Sequence, residues 1–223
     1  KCVPLADVLP SIQKQFEATS NLGLRTLGIA YKILNEDIKL HKETESEMIF
    51  LGFVILFDPL KEGIVDIIQD LKRNGVSLKV ITGDNNLIAT HLGNQMGLVA
   101  PRIVTGTELH KMSESALRHI APKTDIFAEI EPNQKEHIIM ALRKAGNVVG
   151  YMGDGINDAS ALHAADVGIS VESAVDVAKE AADIVLMEKN LEVLNHGVLL
   201  GRTTFANTQK YVFMATSANF GNM

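Results

Sequence analysis

One cysteine, Cys2, stands in a chain of 223 residues, so no internal disulfide can form and a reducing compartment fits. Tryptophan is absent and aromatics make up only 5% of the residues. No run of 18 apolar residues occurs, which excludes a complete membrane-spanning helix within this sequence. Basic residues are in deficit: 21 Lys and Arg face 27 Asp and Glu, a net charge of -6. A nucleic-acid surface needs a basic patch, none is legible, and no nucleic-acid partner is expected. No secretory leader pattern is visible. The chain opens on Lys1 and closes on TSANFGNM without a polar tail, and it is expected to be a piece of a longer one. What is present is a hydrophobic fraction of 46%, enough for one sizeable core with some appended structure.

From about Leu51 onward, short apolar runs alternate with amphipathic ones. LGFVILF, VSLKVIT, RIVTG, DIFAEI, VVGYM, DVGISV and DIVLM read as strands. Between them lie helical patterns, with Gly75 and Gly97 at helix ends, Ser113 as an N-cap and Pro132 in a first turn. This alternation predicts an α/β fold, a doubly wound parallel sheet, with ligands beyond the carboxyl ends of the strands. Residues 1–50 differ: a helix, a turn at Asn21–Gly23 and a strand give a small α+β remnant. The charged stretch NEDIKLHKETESE then reads as a hairpin tip or linker, and a domain boundary is placed near Glu47–Leu51. After Leu191 a long helical pattern runs into the tail.

Three strand ends carry chemistry. In VITGDN, Thr82 and Gly83 end a strand before a helix, where amides and a hydroxyl suit a phosphate; the plainer reading is a turn with Asp84 as N-cap. In EIEPNQKEH, Lys135 stands one turn into a helix and can reach over the sheet edge toward a phosphate, or can be a solvated surface lysine. In GDGINDASAL, Asp154, Asn157 and Asp158 crowd one turn between glycines, a set suited to Mg²⁺, a hard, oxygen-seeking ion. Capping a helix would need one aspartate, not this set. Arising at successive strand ends of one sheet, the three motifs are expected to converge on one edge.

In that order, FDPLK, VITGDN, EPNQK, GYMGDGINDASAL, ADVGIS and AKEAADIVL resemble the phosphorylation domain of P-type ATPases, a branch of the haloacid-dehalogenase superfamily with a Rossmannoid fold. NLGLRTLGIAY resembles the end of that family's nucleotide-binding domain, and the tail resembles the stalk helix entering the fifth membrane span. SANFGNM and DVAKEAADIVLMEKNLEVL are most similar to the magnesium-translocating class. The resemblance implies a domain remnant at 1–50, the phosphorylation domain at 51–204, and a stalk at 205–223. It implies that Asp154 and Asp158 serve the metal site, that Lys135 contacts the phosphoryl group, and that Asp158 orients Lys135. It further implies that Thr82 and Gly83 donate to phosphate oxygens, that Asn157 assists the phosphate, and that Asp84 and Arg25 stand near the nucleotide. For Arg25 a merely solvated residue is the alternative. Asp58 and Pro59 would form an interdomain hinge.

The departures matter as much. The family's D-K-T-G-T, which holds the nucleophilic aspartate, does not occur. Asp58 is a poor substitute, because Leu60 stands where phosphatases of the fold need an acid or hydroxyl. Ser160 replaces a usual proline. The expected protein is therefore the cytoplasmic catalytic piece of an ATP-driven cation pump, inactive alone, with Mg²⁺ and ATP as cofactors. Its expected partners are ATP, the transported cation (Mg²⁺ by subclass) and the pump's actuator and membrane domains. The rivals are a free-standing phosphatase of the same fold and a non-catalytic Mg²⁺- or phosphate-binding module.

Overall fold

The computed structural model describes residues 3–34, 41, 45–57, 59–188 and 190–221. Most of the 35–47 stretch read as a linker lies outside the described residues, as does Asp58 of the expected hinge. The described chain forms two compact units. The first collects Lys1–Lys61, Lys79–Met112 and Lys123–Glu131; the second collects Glu62–Leu78, Ser113–Pro122 and Pro132–Met223.

In the first unit, α1 (Leu5–Asn21) leads through a turn to β1 (Arg25–Tyr31), as the sequence predicts. β2 (Ile49–Leu56) pairs antiparallel with β1, with a register shift at Ile29/Ala30. The sequence places this strand in the parallel alternation; apolar periodicity marks a strand but not the direction of its neighbour. Phe53 lies edge-on to Phe50, with ring centroids 5.2 Å apart, and also meets Phe16 of α1. The unit's parallel sheet has the order β3 (Val80–Ile81), β5 (Ile126–Ala128), β4 (Ile103–Thr105). Central β5 is wholly buried, and its Ile126 and Ala128 pack with Ala89 of α3 (Asn86–Gln95) and with Val80 and Ile103. Close approach of α3 depends on Gly93, where a β-carbon would meet Pro101 and Ile126 at 2.8–2.9 Å.

The second unit holds another parallel sheet, β6 (Gly150–Met152), β7 (Val167–Val171), β8 (Ile184–Leu186), with β7 central. Its helices are α2 (Ile64–Arg73), α5 (Glu114–Ile120), α6 (Pro132–Lys144), α7 (Ala159–Ala164), α8 (Asp176–Glu180) and α9 (Leu191–Gly221). Ser113 caps α5, accepting from the Ala116 amide, and Pro132 opens α6, as expected. Gly75, past α2, and Gly97, past α3, take the left-handed φ that ends a helix (72° and 79°). A short helix the sequence reading misses, α4 (Gly106–Lys111) of the first unit, starts from a Thr105/Glu108 capping box. The long tail helix forms as predicted, and its Phe205, Tyr211, Phe213 and Met214 are exposed. Among the described residues no helix is long and apolar enough to cross a membrane.

The α/β class therefore holds. It is consistent with the doubly wound parallel arrangement expected from sequence, and among the described residues the parallel pairing falls in two three-stranded ladders, whose strands span two to five residues each. Three aspartates close the amino ends of these strands. Asp125, Asp166 and Asp183 each accept a neighbouring backbone N–H through the side chain: Arg102 at 2.9 Å, Val149 at 2.8 Å and Gly168 at 2.7 Å. Each returns its own N–H to the carbonyl of that same residue. These carboxylates satisfy strand-end amides that would otherwise lack a partner. The carboxyl ends are left for chemistry.

Candidate functional site

In the first unit β3 ends at Ile81, and Thr82 continues its line by donating its amide to the Phe127 carbonyl at 2.9 Å. The Thr82 hydroxyl donates to Asp84 Oδ2 at 3.0 Å and accepts the Asp84 amide at 3.1 Å, which shapes the turn. Asn85, not Asp84, caps α3, accepting the Ile88 amide at 3.0 Å. The plainer reading of Asp84 as N-cap therefore falls. Its carboxylate instead takes a two-pronged grip from Arg25 at the head of β1, Nε to Oδ1 at 3.0 Å and a terminal nitrogen to Oδ2 at 2.9 Å. Arg25 is thus not simply solvated, although its side chain stays 55% exposed. Gly83 is not sterically demanded: a β-carbon there would find only the Ile130 carbonyl, at 3.7 Å.

The second unit brings the other motifs together. β6 ends at Met152, and Gly153 donates to the Ile169 carbonyl of β7. Asp154 is exposed at the strand's end, a 3₁₀ turn covers Ile156–Asp158, and α7 follows. Asp158 is buried and makes no cap bond to that helix. Its Oδ1 accepts from Lys135 Nζ at 2.7 Å and from the Tyr151 hydroxyl at 2.6 Å; its Oδ2 accepts from the Gly155 amide at 3.0 Å. Burial alone would raise the Asp158 pKa, but these donors reverse it, and its carboxyl titrates below the ordinary aspartate range. Lys135 is not the solvated surface lysine of the plainer reading, since its side chain is only 16% exposed. Gly153 is required by this packing: a β-carbon would fall 2.5 Å from Asp158 Cβ. Asn157 is exposed on the same turn.

Tyr151 is the participant that sequence reading misses. Its phenol is pushed well above the ordinary range, first by burial and then by its bond to Asp158. The only available signal is a hydroxyl on an otherwise aliphatic strand.

The site's donors also bear on a metal. Among the described residues no three His, Cys, Asp or Glu side chains cluster to close around an ion. An exposed carboxylate at a strand end fits Mg²⁺, which keeps several waters and takes its other oxygens from substrate phosphates.

A parallel α/β frame with Asp154 at one strand's end and a lysine anchored on the aspartate of the next turn defines a class, and comparison agrees with it. The family model described as haloacid dehalogenase-like hydrolase matches residues 5–166, and the chain belongs to that family. Within it, the chain is 44% identical over 223 residues to the magnesium-transporting ATPase, P-type 1 of Escherichia coli K12, covering 99% of this chain and 25% of that protein. A protein of the same name from Salmonella typhimurium (strain LT2) is 45% identical over 204 residues, covering 90% of this chain and 22% of its own length. The calcium-transporting ATPase 1 of Bacillus cereus is 35% identical over 209 residues, 92% of this chain and 24% of that protein. The chain spans about a quarter of the length of the curated relatives it matches.

Proposed function

We propose that this chain is the cytoplasmic catalytic segment of an ATP-driven Mg²⁺ pump, working through an aspartyl-phosphate whose nucleophile lies outside it. Residues 1–50 are the end of a nucleotide-binding domain, 51–204 the phosphorylation domain without its nucleophile strand, and 205–223 a stalk leading toward the membrane. The observation that carries the reading is the part-buried Lys135–Asp158 pair, beside a turn that leaves Asp154 exposed. The relatives' printed names support the transport assignment.

Lys135 supplies a fixed positive charge for a phosphoryl group. Asp158 holds that lysine; its oxygens already accept three donors, so the metal falls to Asp154 rather than to Asp158. Asn157 assists the phosphate from the same turn. Thr82 and Gly83 would donate to phosphate oxygens, the Thr82 hydroxyl by exchanging Asp84 for the phosphate. Arg25 and Asp84 stand for the nucleotide side of the reaction. Mg²⁺ held by Asp154 would supply charge compensation for the phosphate.

A thermal melt of the chain with Mg²⁺ and inorganic phosphate tests the reading. Millimolar Mg²⁺ should raise the melting temperature by roughly 1–3 °C, and added phosphate should raise it further. Asp154→Asn should abolish the Mg²⁺ response and keep the fold. An Asp154→Asn variant that responds as the parent does overturns the metal assignment. Mg²⁺-dependent turnover of p-nitrophenyl phosphate by this chain alone would favour the free-standing phosphatase.

A further inference from the structure

We propose that Tyr151 is a positioning residue of this site: its phenol fixes the Asp158 carboxylate and, through that carboxylate, sets the place of the Lys135 ammonium. The inference rests on the reading of Lys135 as the phosphoryl-contacting cation, and it concerns how that cation is held.

The geometry carries it. Lysine is a point charge on a flexible four-carbon stem, so its position is defined by whatever accepts from it. Its acceptor is Asp158 Oδ1, at 2.7 Å, and the same oxygen takes the Tyr151 hydroxyl at 2.6 Å. Oδ2 is tied to the Gly155 amide at 3.0 Å. With donors on both oxygens the plane of the carboxylate is set. Without the phenol, Oδ1 would have only the mobile lysine. Tyr151 is itself immobile: it is 8% exposed, and it lies on β6, in ladder register with Gly168 of central β7. The same strand steadies the turn from the other side, where the buried Ser170 hydroxyl donates to the Gly153 carbonyl at 3.0 Å. A phenylalanine at 151 would fill nearly the same volume, so the hydroxyl's contribution is the bond to Asp158.

The test is acylation of lysines in the folded chain, read residue by residue by mass spectrometry, in the parent and in Tyr151→Phe. Lys135 should react about tenfold faster in the variant, the change expected when one hydrogen bond to a charged group is lost. Lys111, in α4, and Lys144, at the far end of α6, should react at unchanged rates. An unchanged rate at Lys135 overturns the proposal and leaves Tyr151 as core filling. Should the variant fail to fold, the parent labelled with ¹³Cζ-tyrosine decides in mixed H₂O and D₂O. A held hydroxyl splits the Tyr151 signal by slow exchange, while exposed Tyr31 and Tyr211 give single lines. A single averaged line for Tyr151 overturns the proposal. Neither measurement uses Mg²⁺ or phosphate, so a parent that ignores both ligands defeats the proposed function without deciding the role of Tyr151.

Discussion

Asp84 and Asp158 each follow the carboxyl end of a parallel strand, and each holds a cation by a short bond. Their settings differ. The Arg25–Asp84 pair leaves its side chains 55% and 25% exposed, and the Lys135–Asp158 pair 16% and 11%. Water competes for the first pair, and salt screens it. The second is largely withdrawn from water, and its carboxylate is compensated by a phenol and an amide as well. An exposed guanidinium can exchange its carboxylate for an incoming phosphate at little cost. A part-buried ammonium held by a buried acceptor is a fixed element of the site. The comparison thus separates a cation that can change partners from one that is built in.

The largest effect should come from removing the built-in cation. Lys135→Met leaves a buried carboxylate with two donors and no counter-charge, and should lower the unfolding free energy by about 3–5 kcal/mol. Urea denaturation measures it, and a loss below about 1 kcal/mol would place this pair with the exposed one. Next come Gly83 and Gly153, the glycines that follow the ends of β3 and β6. Gly153→Ala pushes a methyl against Asp158, 2.5 Å from its Cβ, and should cost about 1–3 kcal/mol. Gly83→Ala meets nothing closer than 3.7 Å and should stay within about 0.5 kcal/mol of the parent. Equal costs for the two would show that the Asp158 turn is not packed as described.

Much of this frame is legible in the sequence, and the failures have physical reasons. Strand and helix alternation shows because each buried face repeats at its own period, and Ser113, Gly75 and Gly97 mark helix limits because only certain residues satisfy an end. VSLKVIT reads as a seven-residue strand, yet only Val80 and Ile81 pair, and Lys79 turns its ammonium to the Thr124 carbonyl instead. The antiparallel partner of β2 is invisible because periodicity is silent on direction. At the site, Asp154, Asp158 and Lys135 stand out as residue types at strand ends. That Lys135 meets Asp158, 23 positions away, follows from family resemblance and not from spacing. Tyr151 does not stand out in the sequence because one phenol in a strand looks like packing. Asp125, Asp166 and Asp183 show the converse: aspartates beside strands that tie down backbone amides, Asp166 also pairing with Arg143 at 2.8 Å.

The pH dependence of stability distinguishes the buried network further. Asp158 titrates below its unfolded value of 3.8, so its contribution is complete above that pH and is lost as pH falls through the folded value. Tyr151 has the opposite sign. Its folded pKa lies above the ordinary 10.0, so its contribution is complete below pH 10.0 and fades as the pH rises beyond it. Urea midpoints recorded across this range should fall at both ends for the parent. Tyr151→Phe should soften the alkaline fall, and an identical alkaline limb in the two proteins would mean that the phenol is not bound to Asp158.

The smallest effect on stability belongs to the exposed pair, and there the comparison is most easily broken. Arg25→Ala removes both prongs on Asp84, yet exposed pairs contribute about 0–1 kcal/mol, so the urea midpoint should hardly move. What stability there is should fall further when salt is raised in the parent and not in the variant, because only the parent has a pair to screen. The ligand response should behave otherwise. If Arg25 is the exchangeable cation, the variant should lose affinity for ATP, measured by calorimetry on the chain, while Lys135 acylates at the parent's rate. A variant that loses several kcal/mol of stability would show that the Arg25–Asp84 grip is structural, and the division into a mobile and a fixed cation would fail on its exposed side.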